Sequence, residues 1–325
     1  MAYTADNWPI TAALLQFPGV DAQGRHINDA EPEAWQRVFT EVREAGFTDV
    51  DFTDSWVRPG DLSAARLDEL KAAARAAGVG TPAISAIRRS VIEEAGWEDN
   101  LAYSHRTLEA AAALGCEVVS FGLHQALTPQ QQAQLWFWTV EGHKDPVGDA
   151  ATWKLAVERL RELGRHAEEL GLLVSLEMYE DTYLGTADSA VALVKDIGLP
   201  NVGLNPDIGN LIRLHRPIES WVEMLEKTLP YSNYWHVKNY IRDEDIARDY
   251  FVAMPAPLES GLISYRKAFE IALANGFQGV ICTEHYGGDG LSVSSSNQRY
   301  LREQILPKRA GYALGESQVR QGNQD

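Results

Sequence analysis

The chain of 325 residues is 45% hydrophobic and carries 46 acidic against 29 basic residues, a formal net charge of −17. That charge repels phosphate backbones and anionic bilayers, which excludes nucleic acid and membrane surfaces as natural partners. No apolar run approaches the roughly 20 residues of a bilayer span, and MAYTADNWPI has neither a basic start nor an apolar signal core, so a cytoplasmic location is expected.

Read along the chain, helical stretches ending in glycine recur, each followed by a short β-branched run. Gly46 precedes FTDVDF, Gly78 precedes VGTPAI, Gly115 precedes CEVVSF, Gly171 precedes LLVSLE, Gly198 precedes LPNVGL and Gly276 precedes FQGVIC. Glycine closes a helix in the left-handed conformation, and the residues after it suit buried strands. From Trp153 to Leu170, Val157, Leu160, Leu163 and Ala167 fall at helical spacing and predict one crossover helix. PITAALLQF near residue 10 and SNYWHVK near residue 235 complete eight strand candidates that alternate with helices. Eight such units predict a closed (β/α)8 TIM barrel, one domain over 1–325, rather than an open doubly wound sheet. No strand leads into a dinucleotide or P-loop motif. Cys116 and Cys282 lie in or beside strand-like runs, as reduced, buried thiols do.

Four segments in the second half end in a potential metal ligand: LLVSLE at Glu177, NVGLNPD at Asp207, YWH at His236 and GVICTE at Glu284. The barrel presents its working face at the C-terminal ends of its strands, where all four stand. Side chains alternate along a strand, so Glu177 shares a side with Ser175, Asp207 with Asn205, His236 with Tyr234 and Lys238, and Glu284 with Cys282. The opposite parity carries Val174, Leu176, Leu204, Trp235, Val237 and Ile281, which suit packing under helices. Three carboxylates and an imidazole suit a divalent cation. Manganese is expected first, with magnesium, cobalt and zinc as alternatives.

Two connections exceed ordinary barrel turns of about 2 to 6 residues. The first, 123–149, contains Trp136, Phe137 and Trp138, which suit a flat substrate wall, a partner interface or a small loop core. His143 follows, and its ordinary pKa near 6.5 would suit a general base. The second, 239–264, mixes charges, prolines and aromatics and reads as an ordered lid. The polar segment 309–325 reads as a flexible tail.

The strand-ending pattern SLEMYE, NPDIGN, WHVKN and TEH, with ESGLISY between the last two, resembles the sugar phosphate isomerase/epimerase superfamily of xylose-isomerase-like barrels, over roughly residues 10–306. The resemblance implies that Glu177, Asp207, His236 and Glu284 hold one divalent metal and that Lys238 and Arg242 contact substrate. Asn210 stands where ketose 3-epimerases commonly place a sugar-contacting histidine, a departure that weighs against simple epimerisation. The related endonuclease IV needs a histidine-rich trinuclear zinc site, which this chain lacks.

The two long loops, with His143 in the first, are similar to the large (alpha) subunit of the C-glycoside deglycosidases. That likeness implies a lyase that cleaves the C–C glycosidic bond of 3-oxo-C-glycosides by β-elimination, with His143 as the base. Trp136 and Trp138 would then wall the aglycone, and a small second (beta) subunit would complete a hetero-oligomer. The alternative implied by the wider superfamily is a ketose 3-epimerase or isomerase, or an inosose-type dehydratase.

Overall fold

The computed structural model describes residues 3–322. In chain order its strands are β1 (Ile10–Ala13), β2 (Asp49–Thr53), β3 (Gly80–Ser85), β4 (Val118–Phe121), β5 (Leu173–Glu177), β6 (Val202–Asn205), β7 (Tyr234–Val237), β8 (Asn239–Asp245), β9 (Tyr250–Ala256) and β10 (Val280–Thr283). Eight of them form one parallel sheet in the order β6-β5-β4-β3-β2-β1-β10-β7. A single parallel bridge between Leu204 and Ser232 brings its two ends together, so the sheet is a nearly closed barrel. All eight predicted strands are present, and the expected (β/α)8 architecture is the observed one.

The alternation of side chains sorts the core into two parts. Ala13, Ala83, Val118, Leu173, Tyr234, Val280 and Cys282 pack together inside the barrel. Val174, Leu176, Leu204, Trp235, Val237 and Ile281 point the other way and join the larger core beneath the helices. The crossover helix predicted from Trp153 spans Ala150–Glu169 and buries Val157, Leu160, Leu163 and Ala167. Asp149 caps its N-terminus by accepting from the backbone N–H groups of Ala151 and Thr152. Gly115 and Gly198 close their helices at φ 81° and 67°, where a Cβ would be strained. Cys116 and Cys282 are both free and buried.

The second long connection forms an antiparallel hairpin of β8 and β9, with Asn239 paired to Ala256 and Asp245 to Tyr250. The ordered lid expected from its composition is therefore a two-stranded ribbon. The first, 123–149, holds a helical turn at Pro129–Gln132 and a tighter one at Phe137–Thr139.

The expectation of a flexible tail is corrected over the described residues. Val319 and Gln321 are buried, and the N–H groups of Gln318 and Arg320 donate to the carbonyls of Pro230 and Pro200. Gln321 donates to Ser232 O and accepts from Gln278 N. Polar side chains here satisfy backbone groups at the N-terminal ends of the strands, so composition alone misreads them as solvated. Residues 323–325 of the predicted tail lie outside the described residues. Among the described residues no helix is long and apolar enough to cross a membrane.

Candidate metal centre

Glu177 ends β5, Asp207 follows β6 by two residues, His236 lies within β7 and Glu284 follows β10. All four are buried. One ligand atom from each of Glu177, Asp207 and His236 lies within 4.8 Å of the other two. His236 Nδ1 stands 3.2 Å from Glu284 Oε2 and 3.7 Å from Asp207 Oδ2, so the four residues singled out by strand position converge.

Both Asp207 oxygens and His236 Nδ1 are buried without a hydrogen-bond partner. Lys238 Nζ is 2.8 Å from Asp207 Oδ2, a contact of charge whose angles do not make a hydrogen bond. Buried polar atoms left unpaired are costly, and a divalent cation held by Glu177, Asp207, His236 and Glu284 would satisfy them. The residues present fit the ion.

The other side of the His236 ring is held from below. Nε2 lies 3.2 Å from Ser85 Oγ, and Ser85 Oγ donates to Asp51 Oδ2 at 2.8 Å. Asp51 also accepts from Tyr234 Oη at 2.7 Å and Thr53 Oγ1 at 3.0 Å. The His236 N–H donates to Asn205 Oδ1 at 2.7 Å. Such support fixes the ring and its tautomer for a ligand role. Asp51, His236 and Cys282 also approach one another within 4.8 Å. They make a poor second metal site, because three hydroxyls already occupy the Asp51 carboxylate and burial pushes the Cys282 thiol up.

Charge divides the carboxylates. Lys238, itself buried, stands 2.8 Å from both Asp207 Oδ2 and Glu284 Oε1. Burial works against ionising Glu284, yet Lys238 and His236 outweigh it and hold the carboxyl well below its usual range. Burial, aided by the charges of Asp207 and Glu284, pushes Glu177 up to about 7 against the pull of His236 and Lys238. Glu177 Oε1 accepts from Asn210 Nδ2 at 3.1 Å. His236 is raised well above its ordinary value, since Cys282, Asp207 and Glu284 overcome burial.

The remaining predicted site residues fall in different places. Trp138 is buried, with Trp136 stacked on it at 5.0 Å and the rings of Tyr240 and Tyr286 edge-on at 5.6 and 5.5 Å. Its indole also covers the Arg213 guanidinium at 4.8 Å, so the aromatic triplet forms a packed roof on the functional face. Arg242 sits on β8 and donates to the carbonyls of Ile212, Leu214 and Arg216 and to Glu244, away from the four ligands. His143 is exposed and lines a cleft beside the centre together with His124, Tyr179 and Arg216. It is not brought together with the metal ligands. The loop around it is tied down at Asp145, which exchanges hydrogen bonds with the backbone of Asp181 and Tyr183 after β5.

Two groups at this face were not read from the sequence. His124, three residues after β4, is buried and stacks on Tyr179 at 4.3 Å. Arg213 and Glu180 form a buried ion pair at 3.1 Å. The signal for His124 was its place just past the run CEVVSF, the same kind of place that marked the four ligands.

Residues 39–305 match the model of the xylose isomerase-like TIM barrel family. The chain belongs to that family. A comparison with curated proteins finds no match. Among solved structures the chain is similar to a xylose isomerase-like TIM barrel protein from Mycobacterium smegmatis in complex with magnesium. That likeness has 46% identity and a TM-score of 0.90 and covers 94% of this chain and 99% of the other. It is similar in fold to 3-keto-D-glucoside 4-epimerase from E. coli, at 18% identity and TM-score 0.63 over 91% of this chain and 99% of that one. It is likewise similar in fold to an L-ribulose 3-epimerase, at 15% identity and TM-score 0.65 over 94% and 97%.

Proposed function

We propose that this member of the xylose isomerase-like barrels is a metal-dependent enzyme that removes a proton from the carbon beside a sugar carbonyl. As its specific reaction we propose β-elimination that breaks the C–C glycosidic bond of a 3-oxo-C-glycoside. One observation carries the reading: Lys238 is shared by Asp207 and Glu284, whereas Glu177 receives only an amide hydrogen bond from Asn210. One carboxylate is thereby left without a cation paired to it. In the chain without an ion, burial raises Glu177 while Lys238 and His236 hold Glu284 down, so of these two carboxylates Glu177 takes a proton the more readily. The proton that Glu177 takes from C2 is returned to the aglycone carbon that leaves with the electron pair of the broken C–C bond, so a single acid–base group balances the elimination. Ketose 3-epimerisation needs a second group to return the proton on the opposite face, and Glu284, tied to Lys238, is poorly suited to it.

A bound divalent ion supplies Lewis acidity at the sugar carbonyl. Manganese is our choice, and the magnesium complex of the mycobacterial relative supports a divalent cation of this class. Lys238 orients the substrate oxygens beside the carboxylates, and Asn210 holds Glu177 in position. The roof of Trp136 and Trp138 excludes water, and His143, exposed at the cleft, serves as proton acceptor for a phenol of the aglycone. The reading makes this chain the large subunit of a hetero-oligomer. Leu135 and Val147 on the first long loop, and Ile241, Ile246, Tyr250 and Met254 on the hairpin, are exposed apolar side chains that a small second subunit would cover.

The second reading, a ketose 3-epimerase or isomerase or an inosose-type dehydratase, uses the same four ligands. The two separate in one experiment. The chain, co-expressed with a candidate small subunit, is offered a 3-oxo-C-glucoside and, separately, D-fructose and an inosose. Aglycone release that disappears in Glu177→Gln supports the lyase. Turnover of the ketose or inosose by the chain alone, without aglycone release, replaces it.

A further inference from the structure

The cleft beside the metal centre, about 190 Å³ in volume, is walled by His124, Tyr179, Trp138 and Leu123 and holds none of the four ligands. His124 is 4% exposed, and its Nδ1 has no hydrogen-bond partner among the described residues. Its ring lies flat on Tyr179, with an interplanar angle of 15°. Arg88 in turn donates to Tyr179 Oη at 3.1 Å and so fixes the lower ring of the pair. The imidazole can occupy this place only because residue 122 is glycine: a Cβ there would stand 2.5 Å from Nδ1.

Burial, together with the cations Arg88, Arg213 and Lys238, holds His124 well below its ordinary pKa. The ring is therefore neutral and offers one N–H donor and one nitrogen acceptor. A cavity of about 150 Å³ takes a benzene ring, so this cleft has room for one ring bearing hydroxyl groups. Beside these rings the lining carries polar and charged side chains, among them Arg88, Gln131, Glu180 and Arg216, which suit the hydroxyl groups of such a ring.

We infer that this cleft is a subsite for a hydroxylated six-membered ring and that His124 is its hydrogen-bonding anchor. The inference rests on the reading of the neighbouring centre as a sugar-transforming site, because the ring belongs to the same substrate. Such a ring comes from one of two sources, a phenol or a cyclic polyol.

The test titrates the metal-loaded chain with phloroglucinol and, separately, with myo-inositol, by calorimetry and tryptophan fluorescence. The wild type is expected to bind one of the two at a single site, and the ring that binds identifies the source. His124→Leu, which removes both nitrogens, is expected to weaken binding at least tenfold while retaining its metal. Gly122→Ala, which drives a methyl against the imidazole, is expected to weaken it similarly and serves if the first variant folds poorly. Binding of neither ring to the wild type overturns the subsite, and equal binding by wild type and both variants overturns the role of His124. Ring binding without cleavage of any 3-oxo-C-glycoside removes the proposed reaction and leaves the subsite standing. Cleavage of a 3-oxo-C-glycoside by a wild type that binds neither ring does the reverse.

Discussion

Ser85 Oγ lies 3.2 Å from Nε2 of His236, on the side of the ring away from the carboxylates. The hydroxyl donates its own hydrogen bond to Asp51, so a buried carboxylate supports the imidazole through one intermediary. Loss of such support usually costs about 10–100-fold in metal affinity. Ser85→Ala and Asp51→Asn are expected to show that loss in competition with a calibrated chelator, with the fold retained by circular dichroism. Unaltered affinity in both would show that the strand alone orients the imidazole.

Lys238 neutralises two of the carboxylates that a divalent ion would use. Lys238→Met leaves Asp207 and Glu284 uncompensated in the interior, where breaking a buried pair costs about 3–5 kcal/mol. The metal-free variant is expected to melt well below the metal-free wild type. Manganese should then raise its melting temperature by more than it raises that of the wild type. Equal shifts for the two proteins would mean that ion and ammonium do not compete.

Glu117, far from the metal centre in the bottom layer, is pushed up to about 7 by burial, against a hydrogen bond from Tyr3. An acid whose folded pKa lies above its unfolded value makes the folded state bind the proton more tightly. Its contribution to stability is thus full at low pH and is lost as pH rises from about 4.5 to about 7. Glu117→Gln, which imitates the protonated acid, should match the wild type near pH 4 and be the more stable protein at pH 8. A difference independent of pH would place the origin elsewhere.

Arg242 holds the hairpin to the body of the barrel through three backbone carbonyls of the segment 212–216. Charged hydrogen bonds of this kind each contribute about 1.5–3 kcal/mol. Arg242→Ala is expected to speed amide exchange and protease cleavage in β8 and β9 while the barrel strands stay protected. Uniform protection across the hairpin would show that its cross-strand pairing alone keeps it closed.

The strands and the convergence of Glu177, Asp207, His236 and Glu284 were legible because both depend on alternation, which the letters display directly. Glu177, His236 and Glu284 share a parity with Ser175, Tyr234 and Cys282, and the barrel turns that parity inward. Loop side chains carry no such period. His143 stands out in the sequence only by the company of aromatic residues, whereas His124, which does not, is buried next to the centre. The aromatic triplet was read with a core, a wall and an interface all open, and its packing on Tyr240, Tyr286 and Arg213 is not a local property of the loop. Arg242 was placed by its distance along the chain from His236, but its guanidinium is occupied by carbonyls that only the folded chain brings near. Asp51 and Ser85 lie on other strands than His236, and only the closed barrel brings them to its ring.

The barrel has one weak join. Between β6 and the segment leading into β7 there is the single bridge of Leu204 and Ser232, whereas every other neighbouring pair is laddered over several residues. Asp207 hangs from one side of that join and His236 from the other. An ion coordinated by both is then a clasp, holding closed a hoop whose backbone leaves it partly unfastened. Extraction of the ion would do more than silence chemistry. It would remove that cross-link and leave the two edges to the backbone bridge and to Asn205, whose Oδ1 accepts from the His236 N–H.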